Sequence, residues 1–157
     1  DEPAQAAERR RTLSNETTSK LDELVRQNKL TLNTLVQGVL AVLLSRYCRH
    51  DDVVFGSVVS GRPPEVAGVD AMVGLFVNTL PARIAVEQNT LLLPWLANLQ
   101  AQQAESRRYE HSPLVNVRSW SGLATEGPIF ECLYAFENYP VEAPQAGQDI
   151  NLEVRDY

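Results

Sequence analysis

Two histidines carry the acid–base and metal chemistry that this sequence offers. His50 is followed by Asp51 and Asp52, so a carboxylate could orient the imidazole as a base or complete a metal site. Adjacent residues of an extended chain point in opposite directions, and no second histidine lies nearby, so we interpret this group as a solvated turn. His111 follows Glu110 in another polar segment, and the sequence places no nucleophile beside it. We therefore predict structural roles for both histidines.

The two cysteines offer thiol chemistry. Cys48 and Cys132 are too far apart in sequence for a C-x-x-C metal pair, and two cysteines do not make a disulfide scaffold. Arg46 and Arg49 lie close to Cys48 and would favour a reactive thiolate, but small apolar roles are commoner for free cysteine, so we predict reduced, buried thiols. The G-x-S-x-G, Walker and G-x-G-x-x-G signatures are absent. Taken alone, these residues define no complete catalytic site, and we predict no metal site.

Charge and composition exclude several classes of protein. The chain of 157 residues has 14 Lys+Arg against 20 Asp+Glu, a formal net charge of −6, whereas a general nucleic-acid binder needs a basic surface. Hydrophobic residues make up 44%, which is ordinary for a folded domain. The longest apolar run, Val39–Leu44, is far shorter than the roughly 20 residues of a membrane helix, and the first residues do not resemble a signal peptide. We expect one cytoplasmic domain, or a large part of one, with neither nucleic acid nor a membrane as partner.

The N-terminal third of the chain has the pattern of two helices. Ser14 or Asn15 can cap a first, amphipathic helix that ends near Asn28. Thr31 can cap a second helix, whose apolar residues occupy nearly every side of the cylinder, so we predict a buried core helix that runs to Tyr47. Gly38 in its middle costs about 1 kcal/mol relative to alanine, so either another backbone approaches closely there or the glycine is simply tolerated.

The following segments read as strands around a third helix. The β-branched run Val53–Ser60 predicts a strand covered on both faces, and a turn at Gly68–Met72 leads into a second strand over Val73–Val86. Pro81 within it should lie at a bulge or a sheet edge. The pattern over Leu91–Tyr109 predicts a helix. Its inner side would comprise Leu92, Leu93, Trp95, Leu96, Leu99 and Ala104.

The C-terminal part is less regular. The secondary structure of residues Leu114–Trp120 is ambiguous, while Ile129–Glu137 is strand-like. The segment Glu142–Asp149 is typical of a mobile connection, and the alternation over Ile150–Val154 predicts a final short strand. Helices mixed with buried strands predict an α/β fold in which helices flank a mixed sheet.

Two segments of this sequence match known motifs. Residues 51–63 read DDVVFGSVVSGRP, and residues 72–83 read MVGLFVNTLPAR. They closely resemble two core motifs of the condensation domains of nonribosomal peptide synthetases. Further segments are also similar to this family, and together with the two motifs they keep the family's order over residues 12–140: Thr31–Arg49, Glu110–Leu114, Trp120–Gly122 and Phe136–Pro140.

The resemblance implies one lobe of a chloramphenicol-acetyltransferase-like two-lobed fold. Residues 1–157 would be a partial condensation domain, mainly its C-terminal lobe, and would lack the N-terminal lobe with its HHxxxDG motif. In this family a tunnel between the lobes admits the phosphopantetheine arms of upstream and downstream peptidyl carrier domains, and the enzyme joins an acyl or peptidyl thioester to an aminoacyl thioester. Because the histidines here are not adjacent, we expect no principal catalytic residue in this chain and no activity from it alone.

The resemblance also singles out individual residues. Asn78 matches the motif asparagine, whose amide could bind substrate or a developing oxyanion, or could cap a strand end. Arg62 matches the motif arginine, whose guanidinium could form a buried ion pair at the strand end or contact the substrate. Small residues at Ser57, Ser60 and Gly61 suit a tunnel wall, although tight packing explains them equally. The alternative function is a non-catalytic carrier-docking module, or a fragment of a related epimerization or cyclization domain.

Overall fold

The computed structural model describes residues 7–62, 66–87, 89–122 and 127–137. Helix α1 spans Asn15–Gln27, and the Ser14 hydroxyl accepts a hydrogen bond from the Thr17 backbone N–H at its start. Helix α2 spans Leu32–Cys48, and the Thr31 hydroxyl accepts from the Thr34 N–H in the same way. Both predicted caps are confirmed, because hydroxyl side chains satisfy backbone donors that a helix start leaves unpaired.

In the described part of the chain, the sheet has three strands in the order β2-β1-β3. Strands β1 (Asp52–Val59) and β2 (Asn78–Ala85) are antiparallel in uninterrupted register, whereas β3 (Leu133–Tyr134) runs parallel to β1. Pro81 therefore lies on an edge strand, as predicted, and opposes Gly56 without a bulge. The predicted strand over Val73–Val86 is too long: β1 ends at Val59, so the residues before Asn78 have no partner on it.

Four further elements complete the described fold. Helix α3 spans Leu92–Ser106 and is followed by a 3₁₀ turn at Arg107–Tyr109, and helix α4 spans Leu114–Trp120, where the sequence left the state open. Another 3₁₀ turn, Val69–Ala71, lies within the predicted turn. Only two residues of the predicted strand over Ile129–Glu137 are paired. The predicted connection at Glu142–Asp149 and the final strand lie outside the described residues.

The core lies between one face of the sheet and helices α2 and α3. Val53 and Phe55 of β1 are buried there with Leu96 of α3, and the Phe55 ring meets the edge of the Tyr134 ring at 6.1 Å. Val54 points the other way and is exposed, whereas Gly56 on that face is buried against Phe130, so the second face of the strand is covered only in part, not throughout as predicted. Alternate residues of a strand face opposite sides, and helices cover only one side here.

Helix α2 is buried on one side only, which corrects the prediction of a buried core helix. Its buried residues are Thr34, Leu35, Gln37, Gly38, Ala41 and Ser45. Its opposite side carries an exposed apolar stripe that consists of Val36, Val39, Leu43 and Tyr47. An apolar composition shows that a helix can be buried, but it does not show which of its sides are covered.

Three smaller predictions also need correction. A Cβ atom on Gly38 would lie 2.6 Å from the Leu96 side chain, so a side chain, not another backbone, requires this glycine. Leu92, Leu93 and Ala104 of α3 are exposed, because the inner side of the helix follows positions 96, 99 and 103. The Cys48 thiol is exposed and the Cys132 thiol half-buried, so neither is fully buried.

The described residues contain no single helix that is long and apolar enough to cross a membrane. Helices α1 and α2 together reach the required length and composition, but they are bent by 106° at their junction.

An ion pair joins β1 and β2 on the outer face of the sheet. The Arg83 guanidinium donates to both carboxylate oxygens of Asp52, with Nε–Oδ1 at 3.1 Å and Nη2–Oδ2 at 2.6 Å. The hydrogen bond from Arg83 lowers the pKa of Asp52 below 3.8. Both side chains are largely solvated, so water screens the pair and its contribution to stability is small.

We predict a pH-dependent effect of Asp52→Asn. Because the folded-state pKa of Asp52 is lowered, its stabilising contribution is present above pH 3.8 and is lost as the pH falls through the folded value. The variant should therefore melt slightly below the unmodified chain at pH 7, and the difference should shrink as the pH falls below 3.8. Thermal unfolding of both proteins over this pH range tests it, and a difference that grows towards acid would contradict it.

The apolar stripe on α2 predicts self-association. Residues 1–157 produced alone should form oligomers or aggregates, because exposed apolar patches drive association in water. Leu43→Glu should increase the monomer fraction in light scattering. Leu13→Glu, which changes an equally exposed leucine outside the stripe, should not. A monodisperse monomer of the unmodified chain at high concentration would refute the prediction.

Candidate functional site

A cleft of about 760 Å³ opens where β1 ends, between the sheet and helix α3. Four of the residues singled out in the sequence line it: Ser57, Ser60, Gly61 and Arg62. From the helices, Gln37 of α2 and Gln103 of α3 face the same space, and His111 lies at its border. The cleft wall therefore combines hydroxyl, amide and cationic groups, which suits a ligand with several polar atoms.

A buried polar network of Thr34, Gln37, Ser57 and Gln103 forms the inner wall of this cleft. Gln37 Nε2 donates to Ser57 Oγ at 2.9 Å, and Gln103 Nε2 donates to Gln37 Oε1 at 2.7 Å. Thr34 Oγ1 donates to Gln103 Oε1, also at 2.7 Å. Thr34 and Gln37 are almost fully buried. Buried amides are costly unless hydrogen-bonded, so these bonds fix the arrangement of α2, α3 and β1.

Gln100 connects this network to the backbone at the start of α2. Its Nε2 donates to the Lys29 carbonyl at 2.9 Å, and its Oε1 accepts from the Thr31 N–H at 2.8 Å. A carbonyl only accepts and a backbone N–H only donates, so the orientation of the Gln100 amide is fixed by its two partners. Thr34 Oγ1 lies 3.2 Å from the same Gln100 oxygen.

The Arg62 guanidinium binds the chain that follows β1. It donates to the carbonyl oxygens of Val69 and Met72, the latter at 3.0 Å, and lies over the Phe76 ring at 4.3 Å from the centroid. The expectation was a buried ion pair. Among the described side chains Arg62 instead uses backbone carbonyls and an aromatic face, and it remains half-buried at the wall of the cleft.

Close contacts favour glycine at one position beside the cleft and at one position on the opposite face of β1. Gly61 has a φ of +62°, and a Cβ atom there would lie 1.9 Å from the Phe76 carbonyl oxygen. Gly56 lies on the other face of the sheet, where a Cβ would be 2.4 Å from the Phe130 ring. The Ser60 hydroxyl accepts from the Arg62 N–H at 3.4 Å. Close packing thus explains the glycines, while Ser57 and Ser60 keep hydroxyl groups at the cleft.

Asn78 joins the start of β2 to the loop after α3. Its Nδ2 donates to the carbonyl oxygens of Glu110 and Ser112, both at 2.8 Å, and its Oδ1 accepts from the Thr79 N–H at 2.9 Å. A side-chain amide has two N–H hydrogens, so both of its donors are used. This geometry favours the strand-end role over the oxyanion role for Asn78, and it positions the loop that carries His111.

The remaining candidates for chemistry are dispersed. His50 and Cys48 lie at the exposed end of α2, away from the cleft residues. In the ranges that the structure describes, no group of three or more His, Cys, Asp or Glu side chains is placed to hold a metal ion. Tyr134 donates to Asn33 Oδ1 at 2.8 Å, and burial raises the pKa of its hydroxyl to about 12, so it stays protonated at neutral pH.

Sequence reasoning missed the glutamines of the polar network. Gln37 is a lone amide within the apolar run of α2, and Gln103 lies on the inner side of α3. A polar residue on the buried side of an apolar helix was the available signal, since such a residue needs a specific partner. The partners themselves are 66 residues apart and are not apparent from sequence spacing.

Comparison with known proteins identifies the family. The sequence model of the condensation domain matches residues 1–154, so the chain belongs to the condensation-domain family. Similar proteins include a linear gramicidin synthase from Brevibacillus parabrevis, 45% identical over 92% of this chain, and bacitracin synthase 3 of Bacillus licheniformis, 38% identical over 90%. The chain spans only 2% of the length of either relative.

Solved structures confirm the fold. The first condensation domain of the CDA synthetase superposes with a TM-score of 0.62 at 18% identity, over 76% of this chain and 25% of that one. The X-domain from teicoplanin biosynthesis gives a TM-score of 0.60 at 25% identity, over 73% of this chain and 26% of that one. The predicted fold class is confirmed: a mixed sheet flanked by helices, part of the chloramphenicol-acetyltransferase-like fold.

The contacts of Asn78 predict that it acts on stability. In an intact condensation domain that contains this chain, Asn78→Ala should lower the free energy of unfolding by about 1–3 kcal/mol, because two carbonyl groups lose their donors. The reaction rate per folded molecule should stay within about twofold. Thermal unfolding and single-turnover transfer measured on one preparation test this, with the exposed Asn116→Ala as control. Unchanged stability together with a rate lowered tenfold would instead assign Asn78 to the reaction.

Proposed function

We propose that this chain is the C-terminal-lobe part of a condensation domain that forms peptide bonds between carrier-bound substrates. Membership of the condensation-domain family supports this reaction. The observation that carries the assignment to this site is the cleft, because Ser57, Ser60, Gly61 and Arg62 of one family-like motif line it together. The N-terminal lobe, with the HHxxxDG histidine, would supply the opposite wall.

The proposed reaction is aminolysis of a thioester. The amine nitrogen of the downstream aminoacyl group attacks the carbonyl carbon of the upstream acyl group. The new C–N bond forms, the C–S bond breaks, and the upstream sulfur leaves as a thiol that gains the proton lost by the amine. Charge develops on the carbonyl oxygen in the transition state, so hydrogen-bond donors near that oxygen accelerate the reaction.

The substrates would arrive on phosphopantetheine arms of upstream and downstream peptidyl carrier domains. Such an arm belongs to the carrier and is not a resident cofactor of this chain. The composition of the cleft fits a long, flexible arm that carries amide groups. Gln37, Gln102 and Gln103 offer hydrogen-bonding groups, and Leu80 and Leu99 offer apolar surface. We place the whole assembly in the cytoplasm.

Transfer between carriers tests the proposal. The complete synthetase that contains this chain should form a peptide bond between a loaded upstream carrier and a loaded downstream carrier. Alanine in place of the second HHxxxDG histidine should lower the rate by about 10²–10⁴-fold. Residues 1–157 alone should give no product, because half of the cleft wall and the histidine are missing.

The alternatives give different results in the same assay. A non-catalytic docking module would bind loaded carriers without forming product. Epimerization of the upstream residue, or heterocycle formation, would identify one of the related domain types. Turnover by residues 1–157 alone would contradict the placement of the essential histidine outside this chain.

A further inference from the structure

The hydrogen bonds of the buried polar network have a consistent direction. Thr34 has one hydroxyl hydrogen, and three side-chain oxygens lie within hydrogen-bond distance of its Oγ1: Gln103 Oε1 at 2.7 Å, Thr31 Oγ1 at 2.8 Å and Gln100 Oε1 at 3.2 Å. The Thr31 hydroxyl has a hydrogen of its own that can point to Thr34 Oγ1, so the single Thr34 hydrogen goes to the closest oxygen, that of Gln103. Gln103 is thereby oriented with its oxygen towards α2 and its NH₂ group towards Gln37.

This direction continues to the wall of the cleft. The Gln103 NH₂ group donates to the Gln37 oxygen, so the Gln37 NH₂ group faces Ser57 and donates to its Oγ. Ser57 Oγ is therefore an acceptor within the network, and its own hydrogen remains for another partner. Among the described residues none accepts that hydrogen, and Ser57 lies at the cleft. The Ser57 hydroxyl is thus available as a donor to a ligand in the cleft.

We propose that the Ser57 hydroxyl donates a hydrogen bond to the carbonyl oxygen of the reacting thioester, and that Gln37 and Gln103 are positioning residues that keep it a donor. The inference rests on the proposed condensation function and adds to it a specific group for the oxyanion. Asn78 is not available for this role because both of its N–H hydrogens are used. A donor with a fixed direction need not reorganise as negative charge develops on the oxygen.

Reversing the direction of the network tests the proposal. In Gln37→Glu an ionised carboxylate can only accept, so Ser57 would donate to position 37 and could no longer donate to the substrate. In the complete synthetase we expect Ser57→Ala to lower kcat for carrier-to-carrier transfer about tenfold or more, with little change in KM for either loaded carrier. Gln37→Glu should give a similar loss, and Ser57→Thr should retain most of the rate.

A double-mutant cycle separates this role from a purely structural one. If both residues act through one hydrogen bond, Ser57→Ala combined with Gln37→Glu should be no slower than the slower single variant. Independent structural damage would instead make the two losses multiply. Gln27→Glu, the same change on the exposed side of α1 and outside the cleft, should transfer at the unmodified rate.

The glutamate introduced by Gln37→Glu can be ionised or protonated, and the pH dependence of the rate ratio, unmodified protein over variant, shows the effect of each form. Burial raises the pKa of a glutamate, and a protonated Glu at position 37 could still donate to Ser57. The loss in Gln37→Glu should therefore deepen from pH 6.5 to pH 9. The charged and titratable residues at the cleft are the same in both proteins, so their own contribution cancels in the ratio: Arg62, Arg83, Arg107, Arg108, Glu110 and His111.

The outcomes distinguish the two proposals. No transfer by the unmodified synthetase would overturn both the proposed function and the role of Ser57. Normal transfer by the unmodified protein and an equal kcat for Ser57→Ala would overturn the inference alone. A Gln37→Glu variant with no loss at any pH from 6.5 to 9, or multiplying losses in the double variant, would also overturn it.

Discussion

Polar side chains between α2, α3 and the end of β1 must hydrogen-bond to one another, and this requirement determines the geometry of the site. Thr34 and Gln37 are almost fully buried on the inner side of α2, so each needs a protein partner, and the half-buried Gln103 of α3 hydrogen-bonds to both. Across the described residues, no fully buried side-chain nitrogen or oxygen lacks a partner. Because the partners lie on α2, α3 and β1, satisfying these groups sets how the three elements meet and where Ser57 faces the cleft.

A second group of contacts holds the loops at the same end of the sheet. Arg62 binds backbone carbonyls after β1, and Asn78 binds those of the loop after α3. Both side chains belong to the segments that resemble the family motifs. Both donate hydrogen bonds to backbone carbonyls, and Arg62 also lies over the Phe76 ring. They hold the backbone beside the cleft, while the Ser57 and Ser60 hydroxyl groups line it.

The sequence predicted what depends on neighbours along the chain. The caps at Ser14 and Thr31 and the edge position of Pro81 follow from local chemistry and agree with the structure. The exposed stripe on α2 was not predictable, because coverage of a helix depends on elements far away in sequence. The partners of Asn78 lie 32 and 34 residues away, so its amide could equally have faced a substrate. The motif residues Ser57, Ser60, Gly61 and Arg62 line one cleft in the structure, whereas the direction of the hydrogen bonds there required coordinates.

The direction of the Ser57 hydrogen bond is the central claim, and a bound ligand would show it most directly. The measurement is a crystal structure of the complete condensation domain with a stable analogue of the upstream thioester. The account predicts the analogue's carbonyl oxygen about 2.5–3.0 Å from Ser57 Oγ, with Gln37 still on the opposite side of that oxygen. A carbonyl oxygen bound by other donors, with Ser57 beyond hydrogen-bond distance, would contradict it.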